Sequence, residues 1–180
     1  MSLDVVRCPW GDDPAMIDYH DNEWGKELRG DRELFERMSL EAFQSGLSWA
    51  IILRKRPGFR AAFADFDPEV VATYGDDDVE RLLQDAGIVR NRMKIEATIS
   101  NARTLLDLDE SFSELLWSFA PPARPAPKSY AEVAATTPES IAMAKALKKK
   151  GFRFFGPTTA YALMQATGMV NDHLEDCIAR

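Results

Sequence analysis

Four residues of this 180-residue chain carry soft metal-ligand chemistry, and they sort into one pair at each end. Cys8 and His20 lie near the start, His173 and Cys177 near the end, and the chain holds no other Cys or His. Two thiolates and two imidazoles form a closed tetrahedral set for zinc, a common composition of structural sites. The four-residue step from His173 to Cys177 puts both on one face if that stretch is helical. The set leaves no position for water or substrate, so the expected cofactor is one structural Zn2+ tying the two ends together. With two Cys in all, a disulfide framework is not the organising device.

A second group of residues has the chemistry of phosphate contact. Ser140 to Lys150 reads as a helix with Ile141, Ala144 and Leu147 on one stripe, and Gly151 suits its left-handed cap. Phe152-Arg153-Phe154-Phe155 then makes a short turn closed by Gly156, and Pro157 suits the first position of a second helix. That helix carries Tyr161, Leu163 and Met164 and ends at Gly168. Glycines admit a phosphate close to the backbone, and the free amides of a helix start favour an anion. Lys148, Lys149, Lys150 and Arg153 add sequence-independent attraction to DNA. This hairpin, about 140–168, predicts DNA contact and by itself no reaction.

The elements that must position these groups read as helical throughout. Asp31 is the expected cap of a helix through Leu34, Phe35, Met38 and Phe43 that stops at Gly46. Pro57, Pro68 and Pro138 mark helix starts, and Asp76 to Leu83 reads as a short helix halted near Gly87. Asn91 to Leu106 is amphipathic, with Ile95, Ile99, Ala102 and Leu106 on one side. No segment alternates like a strand, so the expected fold is all-α with nine or ten short helices. Apolar residues make up 46% of the chain, enough for one core, and the Ala120–Pro127 stretch reads as a linker within a single domain over 1–180.

No apolar run nears the roughly 20 residues that span a bilayer. Met1-Ser2-Leu3-Asp4 lacks a secretory pattern, so a cytoplasmic protein without membrane contact is expected. The net charge of -7 does not exclude nucleic acid, because binding follows the local field. Bases gather in Arg54-Lys55-Arg56, Arg90 to Lys94 and Lys148 to Lys150, although any one such run alone reads as a solvated helix face.

Longer blocks carry a resemblance. They are Cys8-Pro9-Trp10, the run Tyr19 to Gly25, the run Leu40 to Trp49, Gly87 to Ile95, Asn101-Ala102-Arg103, Lys149 to Thr158, and Met164 to His173. Together they resemble the 3-methyladenine DNA glycosylase I family, over nearly all of the span from Cys8 to Cys177. The resemblance implies the helix-hairpin-helix glycosylase fold and zinc on Cys8, His20, His173 and Cys177. It implies a base pocket with Glu41 as the catalytic carboxylate and Trp49 and Tyr19 as walls, with Trp24 and Trp10 close by. Met16 stands where members often carry an aromatic residue, so one wall differs; Lys26 stands where proline is common. DNA contacts are expected at Gly46, Leu47, Lys150, Gly151, Phe152, Arg153, Gly156 and Thr158.

The chemistry of those residues matches the implied reaction. A duplex base must be extruded before an enzyme can act on it, and its pocket needs flat walls with a few polar groups. Trp49 and Tyr19 can stack on a purine, more strongly when methylation makes the ring cationic. Glu41 can accept a hydrogen bond from the exocyclic amine and complement that charge. Methylation already makes the base a good leaving group, so binding and field suffice and water completes the hydrolysis. No lysine is placed as a Schiff-base nucleophile, so no strand cleavage is expected. Asp172, wedged beside His173, reads as structural, and a tight turn at Gly46-Leu47-Ser48 can push Leu47 into the gap left by the base. The expected partners are double-stranded DNA with alkylated bases and free 3-methyladenine as product, bound by a monomer. Two other readings stay open: a glycosylase of the same fold for another damaged base, and a zinc-stapled DNA-binding protein without catalysis.

Overall fold

The computed structural model describes residues 4–180, so the reading of Met1, Ser2 and Leu3 falls outside the described residues. Nine α-helices follow in chain order: α1 (Ile17–Asn22), α2 (Asp31–Gln44), α3 (Trp49–Ala62), α4 (Pro68–Val71), α5 (Asp76–Leu83), α6 (Arg92–Leu106), α7 (Phe112–Trp117), α8 (Pro138–Lys150) and α9 (Pro157–Ala166). Short 3-10 turns occupy Pro9–Asp12, Ala64–Phe66 and Tyr130–Glu132. No strand occurs among the described residues, so the all-α expectation holds.

Local capping chemistry sets most helix starts. Ser48, Asp67, Asn91 and Ser111 each accept a hydrogen bond from an amide in the first turn of the helix that follows. Thr137 and Ser140 cap α8 reciprocally. Asp31 is not a cap: Gly30 fills that position, and the Asp31 carboxylate accepts the Ser113 amide at 2.8 Å, tethering α7 to α2. Nor does Pro57 begin a helix. It lies inside α3, where Ile52, Phe59 and Ala62 are buried, so packing of that face outweighs one missing amide donor.

Two stripes differ from expectation. Ile141 is 50% exposed, and α8 buries Ser140, Met143, Ala144 and Leu147 instead. The cap turns Ser140 inward, which leaves Ile141 facing solvent. On α6, Ile95, Ile99 and Ala102 are buried, but Leu106 ends the helix exposed. One contiguous apolar core, including Phe35, Phe43, Phe59, Phe63 and Phe66, runs from α2 to the residues after α9. The proline-rich segment crosses the surface beside this core rather than dividing it. α9 packs against both α8 and α2, which carries the hairpin next to the wall that holds Glu41.

Candidate active site and metal-ligand cluster

The four soft ligands converge. Cys8, His20, His173 and Cys177 are all buried, and their ligand atoms lie within 4.8 Å of one another. Cys177 Sγ is 3.5 Å from His20 Nε2 and 3.4 Å from His173 Nδ1, and Cys8 Sγ is 3.8 Å from His173 Nδ1. Zinc bonds of roughly 2.3 Å to sulfur and 2.0–2.1 Å to nitrogen, at tetrahedral angles, separate S from N by about 3.6 Å, so the donor set fits that ion. The spacing predicts His173 and Cys177 on one helix face, but they are not on a helix: the segment after α9 is irregular. A turn closed by Cys177 N to Leu174 O brings them together instead.

The far sides of both imidazoles are fixed. His20 Nδ1 donates to Asp21 Oδ1 at 2.7 Å, and Arg7 holds the same carboxylate through Nε and Nη2 at 2.9–3.1 Å. His173 Nε2 donates to the Trp24 carbonyl at 2.8 Å. Each partner keeps the ring hydrogen on the outer nitrogen and aims the lone pair of the other at the cluster, the usual outer shell of a ligating histidine. Burial lowers His173 to about 4, so its ring is neutral in the form that ligates. Burial also pushes the Cys8 thiol up to about 11, an environment in which a thiolate calls for a cation. Two glycines make room. A Cβ on Gly11 would lie 2.4 Å from His20 Cδ2, and one on Gly25, at φ +79°, would lie 2.9 Å from His173 Cδ2.

Beside the cluster opens a pocket of about 300 Å³, room for one nucleobase, whose walls include all six residues expected there: Trp10, Met16, Tyr19, Trp24, Glu41 and Trp49. Trp10 and Trp24 meet edge to face at 4.9 Å, and Tyr19 lies 5.4 Å from Trp49. The Trp49 indole N–H is buried without a partner, an open donor at the start of α3. Glu41, on the last turn of α2, is 6% exposed and makes no hydrogen bond among the described residues. Burial raises its carboxyl to about 7, and the charge of Arg37 works in the other direction. Arg37, itself buried, donates to the Tyr19 hydroxyl at 3.4 Å and to Glu23 at 3.2 Å, and Arg56 completes the clamp on Glu23.

Sequence reasoning did not find Gln44, Tyr130, Ala162 and Gln165 as pocket walls. None has a local signature, since they meet the pocket only once α9 and the Tyr130–Glu132 turn fold over α2. Arg37 carried no signal either, although Glu23 lies in the Tyr19–Gly25 block.

The expected DNA-contact residues form two separate features. Gly46, at φ +80°, and Leu47 make a turn braced by three hydrogen bonds from two side chains. Gln44 Nε2 donates to Leu47 O at 2.8 Å, while Lys94 Nζ donates to Phe43 O at 2.9 Å and Ser45 O at 2.7 Å. Lys94 is therefore a buried brace and not part of a solvated face. In the hairpin, Gly151 caps α8 at φ +106°, and the Asn101 amide pairs with the backbone N–H and C=O of Arg153 at 2.7 and 3.0 Å. Arg153, Gly156 and Thr158 are exposed around the turn. Phe152 is not a surface contact: its ring is buried against Phe112 at 5.6 Å and its amide donates to Leu147 O. Lys150 is exposed and pairs with Glu110 at 3.1 Å. Asp172 receives the Tyr161 hydroxyl and, at 3.0 Å, Gln165 Nε2.

An aromatic cage for a single flat ring, a buried carboxylate at its wall and a glycine-hinged helical hairpin are the parts of an enzyme that acts on an extruded base. Comparison narrows that class. The sequence profile of the methyladenine glycosylase family matches residues 10–180. DNA-3-methyladenine glycosylase 1 of Escherichia coli (strain K12) is 48% identical over 179 residues, covering 96% of each chain. A crystal structure of 3-methyladenine DNA glycosylase I superposes with a TM-score of 0.94 at 48% identity, over 97% of this chain and 100% of the other. A Staphylococcus aureus structure described as the basis of 3-methyladenine recognition gives 0.91 at 35% identity, over 96% and 95%. The chain belongs to the methyladenine glycosylase family.

Proposed function

We propose that this protein excises 3-methyladenine from alkylated double-stranded DNA by hydrolysing the N-glycosidic bond, releasing the free base and leaving an abasic site. The observation that carries the reading is Glu41, a buried and unpaired carboxylate in a pocket walled by Trp10, Tyr19, Trp24 and Trp49.

The extruded base stacks against the aromatic walls, where its positive charge strengthens contact with the ring faces. Glu41 accepts a hydrogen bond from the exocyclic amine and, when ionised, offsets the charge of the base. As the bond from the sugar to the base breaks, its electron pair neutralises the methylated ring, and the sugar carbon takes on oxocarbenium character. Water attacks that carbon and loses a proton, which completes a monofunctional hydrolysis. The braced Gly46–Leu47 turn fills the gap in the duplex, and the exposed hairpin around Arg153, Gly156 and Thr158 holds the backbone. Zinc on Cys8, His20, His173 and Cys177 would supply structural bonds that tie the chain ends into a single monomeric domain, with no part in the reaction.

The test is incubation with duplex DNA carrying methylated purines, followed by chromatography of the released bases and by alkali treatment of the strands. The expected result is 3-methyladenine in the free fraction, with strands that break only after alkali. Strands cut without alkali would contradict simple hydrolysis, and no released base would contradict the activity.

A further inference from the structure

The polar walls of the pocket are fixed in one sense. Gln44 donates its side-chain nitrogen to Leu47 O, and Gln165 donates its own to Asp172 Oδ2. In both amides the carbonyl oxygen is the end with no partner among the described residues, and both residues line the pocket. The Gln165 amide cannot turn over without setting its oxygen against the Asp172 carboxylate. The Tyr161 hydroxyl holds that carboxylate in place. With Glu41, the pocket thus offers three acceptors, set beside donors that include the buried, unpartnered Trp49 indole N–H. An adenine-type base carries an amine donor where a guanine-type base carries a carbonyl acceptor.

We infer that Gln165, oriented by Asp172 and Tyr161, determines specificity by accepting a hydrogen bond from the exocyclic amine of the extruded base, an inference that rests on the 3-methyladenine reading above. Glu41 accepts one hydrogen of that amine and supplies charge complementarity for a cationic base, and Gln165 accepts the other. Asp172 and Tyr161 are positioning residues that act through Gln165.

Titration of the intrinsic tryptophan fluorescence with two free ligands tests this: 3-methyladenine, and 3-methylpurine, the same ring without the amine. Wild type is expected to prefer 3-methyladenine. Gln165→Met is expected to lose on the order of tenfold in affinity for 3-methyladenine, and nothing for 3-methylpurine. Retained binding of the amine-free ring also certifies a folded pocket. Equal loss of both ligands would make Gln165 a packing residue and overturn the inference, as would no loss of either. Tyr161→Phe is expected to shrink the same preference about threefold at unchanged zinc content, and an unchanged preference would overturn the orienting role. If wild type bound no 3-methyladenine, both this inference and the functional reading would fall. If wild type bound it and Gln165→Met kept the full preference, only the inference would.

Discussion

Trp24 and His173 join the two sites: the Trp24 carbonyl accepts the His173 Nε2–H at 2.8 Å, and the two rings stand edge to face at 4.8 Å. The same indole walls the base pocket. Orientation of the His173 imidazole and placement of the Trp24 pocket wall are therefore one structural event. Removing zinc with a strong chelator, or making Cys177→Ser, is expected to lower Tm and to weaken 3-methyladenine binding together. Metal analysis beside thermal melts and fluorescence titration checks it; full affinity in zinc-free folded protein would separate the two sites.

Gly11 offers a test that leaves every ligand in place. A methyl group there would overlap the His20 ring at 2.4 Å against a backbone fixed by the Gly11 N to Cys8 O bond. Gly11→Ala is expected to reduce zinc stoichiometry well below one per chain. A full complement of zinc would show that His20 moves freely or is no ligand.

Glu41 links stability to function. Folding raises its carboxyl from an ordinary 4.5 to about 7, so between those values the native state binds more protons than the unfolded chain. Stability on this account falls as pH rises through that window, and the penalty is complete above about 7. Glu41→Gln removes it, and is expected to stabilise the protein at pH 8 by on the order of 3 kcal/mol and hardly at all at pH 4. Urea unfolding at both pH values measures this; a variant less stable than wild type at pH 8 would mean that Glu41 is paired in solution.

The same shift sets the direction of the rate profile. Ionised Glu41 is the form that complements a cationic base, so kcat/KM is expected to climb as pH rises through about 7. Glu41→Gln should lose that limb, and a limb that survived the substitution would belong to another group.

On the hairpin, Lys148, Lys149 and Arg153 are exposed around the glycine turn. Replacing all three with Ala is expected to weaken binding to undamaged duplex and to flatten the salt slope by about one per lost phosphate contact. Lys150→Ala should change less, because its ammonium already faces Glu110. Equal salt slopes for wild type and the triple variant would turn this face away from DNA.

Much of this was legible before folding, and for identifiable reasons. The Pro138, Gly151 and Pro157 punctuation and the pairing of Cys and His at the two ends are local or compositional signals, whereas Asp31, the residue read as an N-cap, is not one. Pro57 and the His173–Cys177 step misled because packing of the α3 face overrides a breaker, and because an irregular turn can do what a helix face does. Lys94 read as part of a basic run, whereas its ammonium holds the carbonyls of Phe43 and Ser45 at the end of α2, 51 and 49 residues away in sequence. Glu41 and Trp49 stood out only through the resemblance; a lone glutamate and a lone tryptophan have common fates on a helix surface and in a core. Tyr130 lies outside every block of that resemblance and Gln165 lies inside one without an assigned role, since only the approach of α9 and the Tyr130–Glu132 turn makes them walls.

The most direct measurement is the single-turnover release of 3-methyladenine from alkylated duplex DNA at pH 7.5 by wild type and by Glu41→Gln, with zinc content and folding matched. Wild type is expected to release the base, and the variant to do so on the order of a hundredfold more slowly while melting at a higher temperature. Equal rates would show that the buried carboxylate takes no part in excision and would contradict the assignment of this pocket as the active site.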